Sequence, residues 1–390
     1  MDPEIWRLPA AVDEVLPPRA WHLEQLRRGV LDLFQSWGYE YVEPPLIEYL
    51  DALLVGNDLN LVTLKVPDQL SGRTLGVRAD MTSQAARIDA NSLPASGVQR
   101  LCYAGPIARA TPRRVLESRV PLKAGAEIYG TTARAADLEV MLLALDALSG
   151  AGLATPVIEL GDVGIVAAIL DTLTLDEGRR RQVLEAIRVK SETDIASLLA
   201  GQAQADLLCE LVRLMGPPEA LQAARKLLGA PHPELLGVLD QLEALVEELS
   251  RQRPQAQLRV DLSEHVGFGY HKGLVFALFD IEHGTALARG GRYDGIGEQF
   301  GRARPATGFD LNLKSLLGAA PALEPTGAIW APVAPGEEAA GRLAAMAQLR
   351  AAGERVVDAL DLDAEPPPSC DRLLVLSDAR WRVEPLAVRR

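Results

Sequence analysis

The chain has 390 residues, 48% apolar and 24% charged, the balance of a globular protein with room for a sizeable core and two or three domains. No apolar run approaches the roughly 20 residues that span a bilayer, and MDPEIWRLPAAVDEVLPP lacks the basic and apolar regions of a secretory leader. A formal net charge of −13 argues against nucleic-acid binding, which needs a basic surface to displace counterions, and three scattered cysteines suit a reducing, cytoplasmic setting.

Apolar Trp21, Leu23, Leu26, Val30, Leu33 and Phe34 recur at helical spacing and predict a helix over 19–37, ended by Gly38. The run YEYVEPPLIEYL reads as a strand into a Pro-Pro break. Residues 61–77 read as a hairpin turning at Gln69-Leu70-Ser71-Gly72, and 81–90 as a short helix. Strands are expected over 99–107, 124–129 and 157–164, with a buried helix over 134–149 between the last two. From about 175 to 254 the pattern is helical, broken at Gly216-Pro217-Pro218 and Pro231-His232-Pro233, and reads as an inserted helical subdomain. Strands return at 258–262 and 274–281.

Pro321 and Pro325 mark a boundary. The expected division is a first domain over 1–320, carrying the insertion, and a small α/β unit over 326–390. That second unit has AIWAPV and LLVLSD as strands and a helix over 337–352 between them. Long connections, hairpins and helices around several strands predict an α+β fold, an antiparallel sheet flanked by helices.

Several stretches carry chemistry. Glu127 sits on an otherwise apolar strand, AGAEIYG, where a carboxylate is costly unless something meets it, so a pocket-facing role is expected. Asp80 reads equally as a ligand carboxylate or as a cap of the helix that follows. Arg109, Arg113, Arg114 and Arg119 form either a solvated basic loop or an anion site. The five histidines show no ligand spacing with one another or with the cysteines, so no metal and no cofactor is assigned.

Four segments, in order over most of the chain, resemble the catalytic fold of histidyl-tRNA synthetases, a class II aminoacyl-tRNA synthetase family. WGYEYVEPPLIEYL resembles the first class II motif, with Pro45 at the position that abuts the symmetry mate in a homodimer. GVRADMTSQAARIDA resembles the Arg-Pro-Glu-Gly-Thr segment, and CYAGPIARATP with KAGAEIYG resembles the second motif. GYHKGLVFALF and ARGGRYDG resemble the histidine-recognition strands, and FDLNLKSL resembles the third motif.

The resemblance implies an incomplete catalytic set. Arg109 matches the α-phosphate arginine, but Thr111 stands where a glutamate follows it. Val266 and Ser315 occupy positions that carry arginines handling ATP. Neither side chain can act as a permanently ionised, bidentate donor to phosphate, so adenylation is not expected. The histidine-contacting side is partly kept: Asp80 and Thr82 match an acid and a threonine, and Glu127 matches the acid that meets the imidazole. Tyr270 and His271 stand at two tyrosine positions, and Lys123 replaces a glutamine and either repels a cation or pairs with Glu127.

This combination resembles the regulatory subunits of short-form ATP phosphoribosyltransferase, non-catalytic paralogues of histidyl-tRNA synthetase. That family implies a hetero-oligomer, expected as a hetero-octamer, with the catalytic subunit in the first step of histidine biosynthesis. It also implies feedback by free histidine, with no nucleic-acid and no membrane partner. A divergent synthetase and a free-standing histidine sensor are the alternatives.

Overall fold

The structure, a computed structural model, describes residues 6–54, 62–112, 117–265, 273–280, 284–322, 327–334, 336 and 338–386. It divides into two compact units, Met1–Pro321 and Ala322–Arg390. Among the described residues no helix is long and apolar enough to cross a membrane.

Twelve strands of the first unit are β1 Glu40–Tyr41, β2 Ile47–Tyr49, β3 Leu64–Pro67, β4 Thr74–Val77, β5 Gln99–Pro106, β6 Leu122–Tyr129, β7 Val157–Asp162, β8 Met215–Gly216, β9 Gln257–Asp261, β10 Leu274–Asp280, β11 Thr285–Arg292 and β12 Ala306–Asn312. Nine form one sheet in the order β1-β5-β6-β12-β11-β10-β7-β9-β8, and β2, β4 and β3 form a small second sheet. The large sheet is antiparallel apart from the β1–β5 and β7–β9 pairs. This is the class II-like α+β arrangement that the motifs predict.

One face of the sheet is covered by helices Arg19–Ser36, Arg134–Gly150 and Leu313–Ala319. The middle helix is apolar nearly all round, with Val140 to Leu145 buried, as expected for a helix with no solvent face. Phe34 meets Phe309 edge-on at 5.8 Å, joining the first helix to the sheet centre. The opposite face packs a second cluster, with Ala85 and Ala86 of the Thr82–Ser92 helix against Leu101, Tyr103, Tyr129 and Tyr293.

The expected hairpin is present as β3 and β4. Asp68 closes its turn by accepting from the backbone of Leu70 and Ser71, and Gly72 takes a φ of +72°. The insertion is helical over Glu177–Arg188, Glu192–Leu198, Gln204–Leu211, Ala220–Leu228 and Leu236–Gln252. Asp176 and Ser191 cap the first two. Lys190 leaves the first of these helices with a φ of +56° and donates to Asp261 at 2.6 and 2.8 Å and to Ser263 at 2.6 Å. That contact ties the insertion to the end of β9.

Two sequence readings are corrected. The strand from Val157 ends at Asp162, not Gly164, because the Asp162 carboxylate accepts from Gly164 N–H at 2.8 Å and starts a helix over Val163–Asp171. In the second unit the strands are β13 Ala328–Ala331, β14 Val356–Asp358, β15 Cys370–Ser377 and β16 Arg380–Pro385, in the order β14-β13-β15-β16. The last strand went unpredicted: its two-residue turn uses Asp378 and Ala379, both at positive φ, instead of a glycine pair. Buried Arg342 joins the Glu338–Ala351 helix to this sheet through the Ala331 carbonyl and Asp358.

Two glycines of the large sheet have no room for a side chain. A Cβ on Gly290 would collide with the Gly308 carbonyl and lie 2.5 Å from the Phe276 ring; one on Gly125 would lie 2.5 Å from the Tyr103 hydroxyl. Gly290→Ala is expected to lower unfolding free energy by about 2 kcal/mol or more, as overpacked cores do. Urea titration followed by circular dichroism checks this; an unchanged midpoint would contradict the packing.

Candidate functional site

The face of the sheet away from the helices carries a polar cluster built on β6 and β12. Residues 123, 125 and 127 share one face of β6 by the two-residue strand period. The register sets Glu127 opposite Gly308, Gly125 opposite Asp310 and Lys123 opposite Asn312. Only a glycine fits at 308, where a Cβ would overlap the Glu127 carboxylate. Gly125, between the two charged residues, leaves the space that Tyr103 of β5 fills.

Glu127 is 1% exposed and held on both oxygens. The Tyr103 hydroxyl donates to Oε1 at 2.7 Å and the Tyr293 hydroxyl donates to Oε2. Thr82, at the start of the Thr82–Ser92 helix, sits 3.1 Å from the Tyr103 hydroxyl. Burial pushes the Glu127 carboxyl up to about 8, although the hydrogen bonds from Tyr293, Tyr103 and Thr82 pull the other way. Nearby Asp80 adds to the rise. At neutral pH the acid is thus mostly protonated in the empty site. An arriving cation would favour its ionised form.

Asp80 does the local work of a cap: its Oδ1 accepts from Thr82 N–H at 2.7 Å. The carboxylate lies near Glu127 as well. Lys123 does not pair with Glu127. It pairs with Asp310 of β12, the diagonal neighbour that β6–β12 register supplies. Arg109 is buried and lies outside this polar cluster of contacts, with Nη1 3.0 Å from Glu117 and its backbone N–H on the Arg119 carbonyl. Tyr270, His271 and Val266, like Arg113 and Arg114, lie outside the described residues.

Tyr103, Tyr293 and Asp310 were not assigned from sequence. Tyr293 stands in the GGRYD run that resembles a histidine-recognition strand, though it was not singled out; Tyr103 and Asp310 reach the cluster only through strand register. The third-motif helix Leu313–Ala319 begins with Asn312, whose Oδ1 accepts from Lys314 and Ser315 N–H. Ser315 thus stands in the first turn with no cationic side chain to offer. Among the described residues, no group of three or more His, Cys, Asp or Glu is placed to hold a metal ion.

Comparison with known proteins fits this geometry. Residues 11–316 match the histidyl-tRNA synthetase family model. Residues 326–384 match the model of the ATP phosphoribosyltransferase subunit HisZ C-terminal domain. An ATP phosphoribosyltransferase regulatory subunit from Chromohalobacter salexigens is 44% identical over 394 residues, covering 98% of both chains. The chain belongs to the ATP phosphoribosyltransferase regulatory subunit family. A second member, from Pseudomonas syringae pv. syringae, is 45% identical over 392 residues, again 98% of each chain. As a member, the chain is regulatory and non-catalytic.

Solved structures agree. A chain from Bacillus halodurans, described as an ATP phosphoribosyltransferase regulatory subunit/histidyl-tRNA synthetase, superposes with a TM-score of 0.81 at 27% identity, covering 93% of this chain and 96% of its own. A histidyl-tRNA synthetase from Nostoc shares the fold with a TM-score of 0.78 at 17% identity, covering 95% of this chain and 91% of its own.

The Glu127 environment has a pH signature. Its ordinary value is 4.5 and its folded value about 8, so between these the native chain holds a proton that the unfolded chain has lost. Its contribution to stability therefore falls as pH rises through that window. Glu127→Gln, which removes the titration, should gain stability relative to the parent as pH rises from about 5 to about 8. Urea midpoints of the two proteins across that range measure it. A difference independent of pH would mean that Glu127 is already ionised in the native state.

Proposed function

We propose that the chain works in the cytoplasm as the regulatory partner of the short-form ATP phosphoribosyltransferase catalytic subunit, in a hetero-octamer built on homodimers of this chain. It supports the first step of histidine biosynthesis, and free histidine acts on it as a feedback effector. The effector occupies the Glu127 pocket, with Asp80 and Glu127 meeting its cationic groups and Thr82, Tyr270 and His271 completing the surround. Lys123 and Arg109, the other two residues of the proposed set, would reach the effector's carboxylate only by leaving their present partners, Asp310 and Glu117.

One observation carries the reading. A buried acid is hydrogen-bonded on both oxygens by neutral hydroxyls and has no cationic partner among the described residues, Lys123 being spent on Asp310. Such an acid gains most from a ligand that brings a positive charge, because charge-assisted hydrogen bonds strengthen when water is excluded. Meanwhile Ser315 leaves no guanidinium for ATP at the third-motif helix. Ligand binding without adenylation is the chemistry left.

Feedback then requires histidine to favour one arrangement of the complex, since a ligand shifts an equilibrium only by its differential affinity. Mixing the chain with the catalytic subunit should yield a co-purifying hetero-oligomer with a higher rate of N1-phosphoribosylation of ATP. Histidine should suppress that rate, and Glu127→Ala should raise the half-inhibiting concentration by about tenfold or more. An unchanged histidine response in the variant would place the effector elsewhere, whereas failure to co-purify would sink the partner assignment. The chain alone should show no histidine-dependent ATP–pyrophosphate exchange, and a synthetase-like rate would revive the ligase reading.

A further inference from the structure

Strand register places one further cation on the face that carries Glu127. Directly paired residues of antiparallel strands share a face, and side chains alternate along each strand. Glu127 of β6 therefore stands in one row with Gly308 of β12 and Gly291 of β11. The next row on the same face is Gly125, Asp310 and Arg289. Gly291 brings no side chain of its own. On one side of it along the chain, Tyr293 turns its hydroxyl to Glu127; on the other stands Arg289. The Glu127 row is buried, whereas Asp310 and Arg289 are half-buried, so the site meets solvent along the second row.

Among the described residues the strands bring three cations to this face, and distance separates them. Lys123 is on β6 itself but is held by Asp310. Arg259 of β9 pairs with Glu159 at 3.5 Å. It stands five strands from β6, roughly 24 Å at the usual strand spacing. Arg289 on β11 is only two strands away, roughly 10 Å, which its own long side chain and a small ligand span together. Its guanidinium carbon lies 6.0 Å from the centroid of the Phe279 ring. A ring face attracts a guanidinium through its charge and leaves the in-plane N–H fork to meet other groups. A carboxylate is the group that takes two donors of that fork at once.

We infer that Arg289 reads the carboxylate of the effector: an amino acid whose cationic end meets Glu127 lies over Gly291 with its carboxylate on the Arg289 guanidinium. This rests on the reading of Glu127 as an effector site. It adds what that reading lacks, a reason for the site to take a free amino acid in preference to any amine. An acid in the buried row and a cation in the half-buried row match the two ends of a zwitterion. The cationic end goes inward, and the carboxylate stays at the row that meets solvent.

Calorimetric titration of the full-length chain with L-histidine and with histamine, which keeps the imidazole and amine but has no carboxylate, tests this. The parent should bind histidine about tenfold or more tightly than histamine. Arg289→Met, similar in length and uncharged, should erase that preference, weakening histidine by about tenfold and histamine not at all. Arg289→Lys keeps the charge but not the fork and should lose part of the preference, which reads the same contact if the methionine variant is unstable. Arg259→Met, on the same face but far from Glu127, serves as the charge control and should keep the preference. A preference that survives both Arg289 variants, an equal weakening of the two ligands, or an equal effect of Arg259→Met overturns the inference while the histidine reading stands. A parent that binds no histidine overturns that reading and the inference with it.

Discussion

The structure turns on one buried carboxyl group. Glu127 lies on β6 of the nine-stranded sheet, on the face packed by the Thr82–Ser92 helix, and both its oxygens are met by tyrosine hydroxyls. Every nearby choice of residue follows from making room for it. Gly308 opposite has no side chain because the carboxylate fills that volume, and Gly125 has none because Tyr103 must lie flat to reach it. Neutral donors satisfy the acid's hydrogen bonds without neutralising its charge. Burial raises its carboxyl to about 8.

Around that group, the fold keeps the architecture of a synthetase and discards what acts on phosphate. Asn312 still caps the third-motif helix, so the backbone geometry survives, but the position of the ATP-handling arginine holds Ser315. Lys123 and Lys314, which would otherwise bring positive charge toward a ligand, are each held by an aspartate from a distant part of the chain. Nothing in the described site prepares it to stabilise a phosphoryl transition state.

Much of this was legible in the sequence, and the failures have physical causes. Long apolar segments such as 134–150 and short apolar ones such as 124–129 read correctly because burial on all sides leaves almost only apolar residues there. The Val163–Asp171 helix did not, since VGIVAAIL follows a buried strand with no glycine or proline between, and its start depends on one Asp162 hydrogen bond. Glu127 stood out as an acid on an apolar strand. Its partners did not: Tyr103 is placed by the β5–β6 register and Tyr293 by the path after β11. Lys123 and Asp310 are 187 positions apart, and Asp13 and Lys314 are 301 apart, so only the folded chain shows that these charges cancel.

The central claim is that the acid in the sheet awaits a cation, and that histidine supplies it. Direct titration of the isolated chain with histidine, comparing the parent with the isosteric Glu127→Gln, isolates the charge from the shape of the site. The account predicts binding by the parent in roughly the micromolar range, about −8 kcal/mol, and a loss of about tenfold or more in the variant. Equal affinity in the two proteins would contradict it.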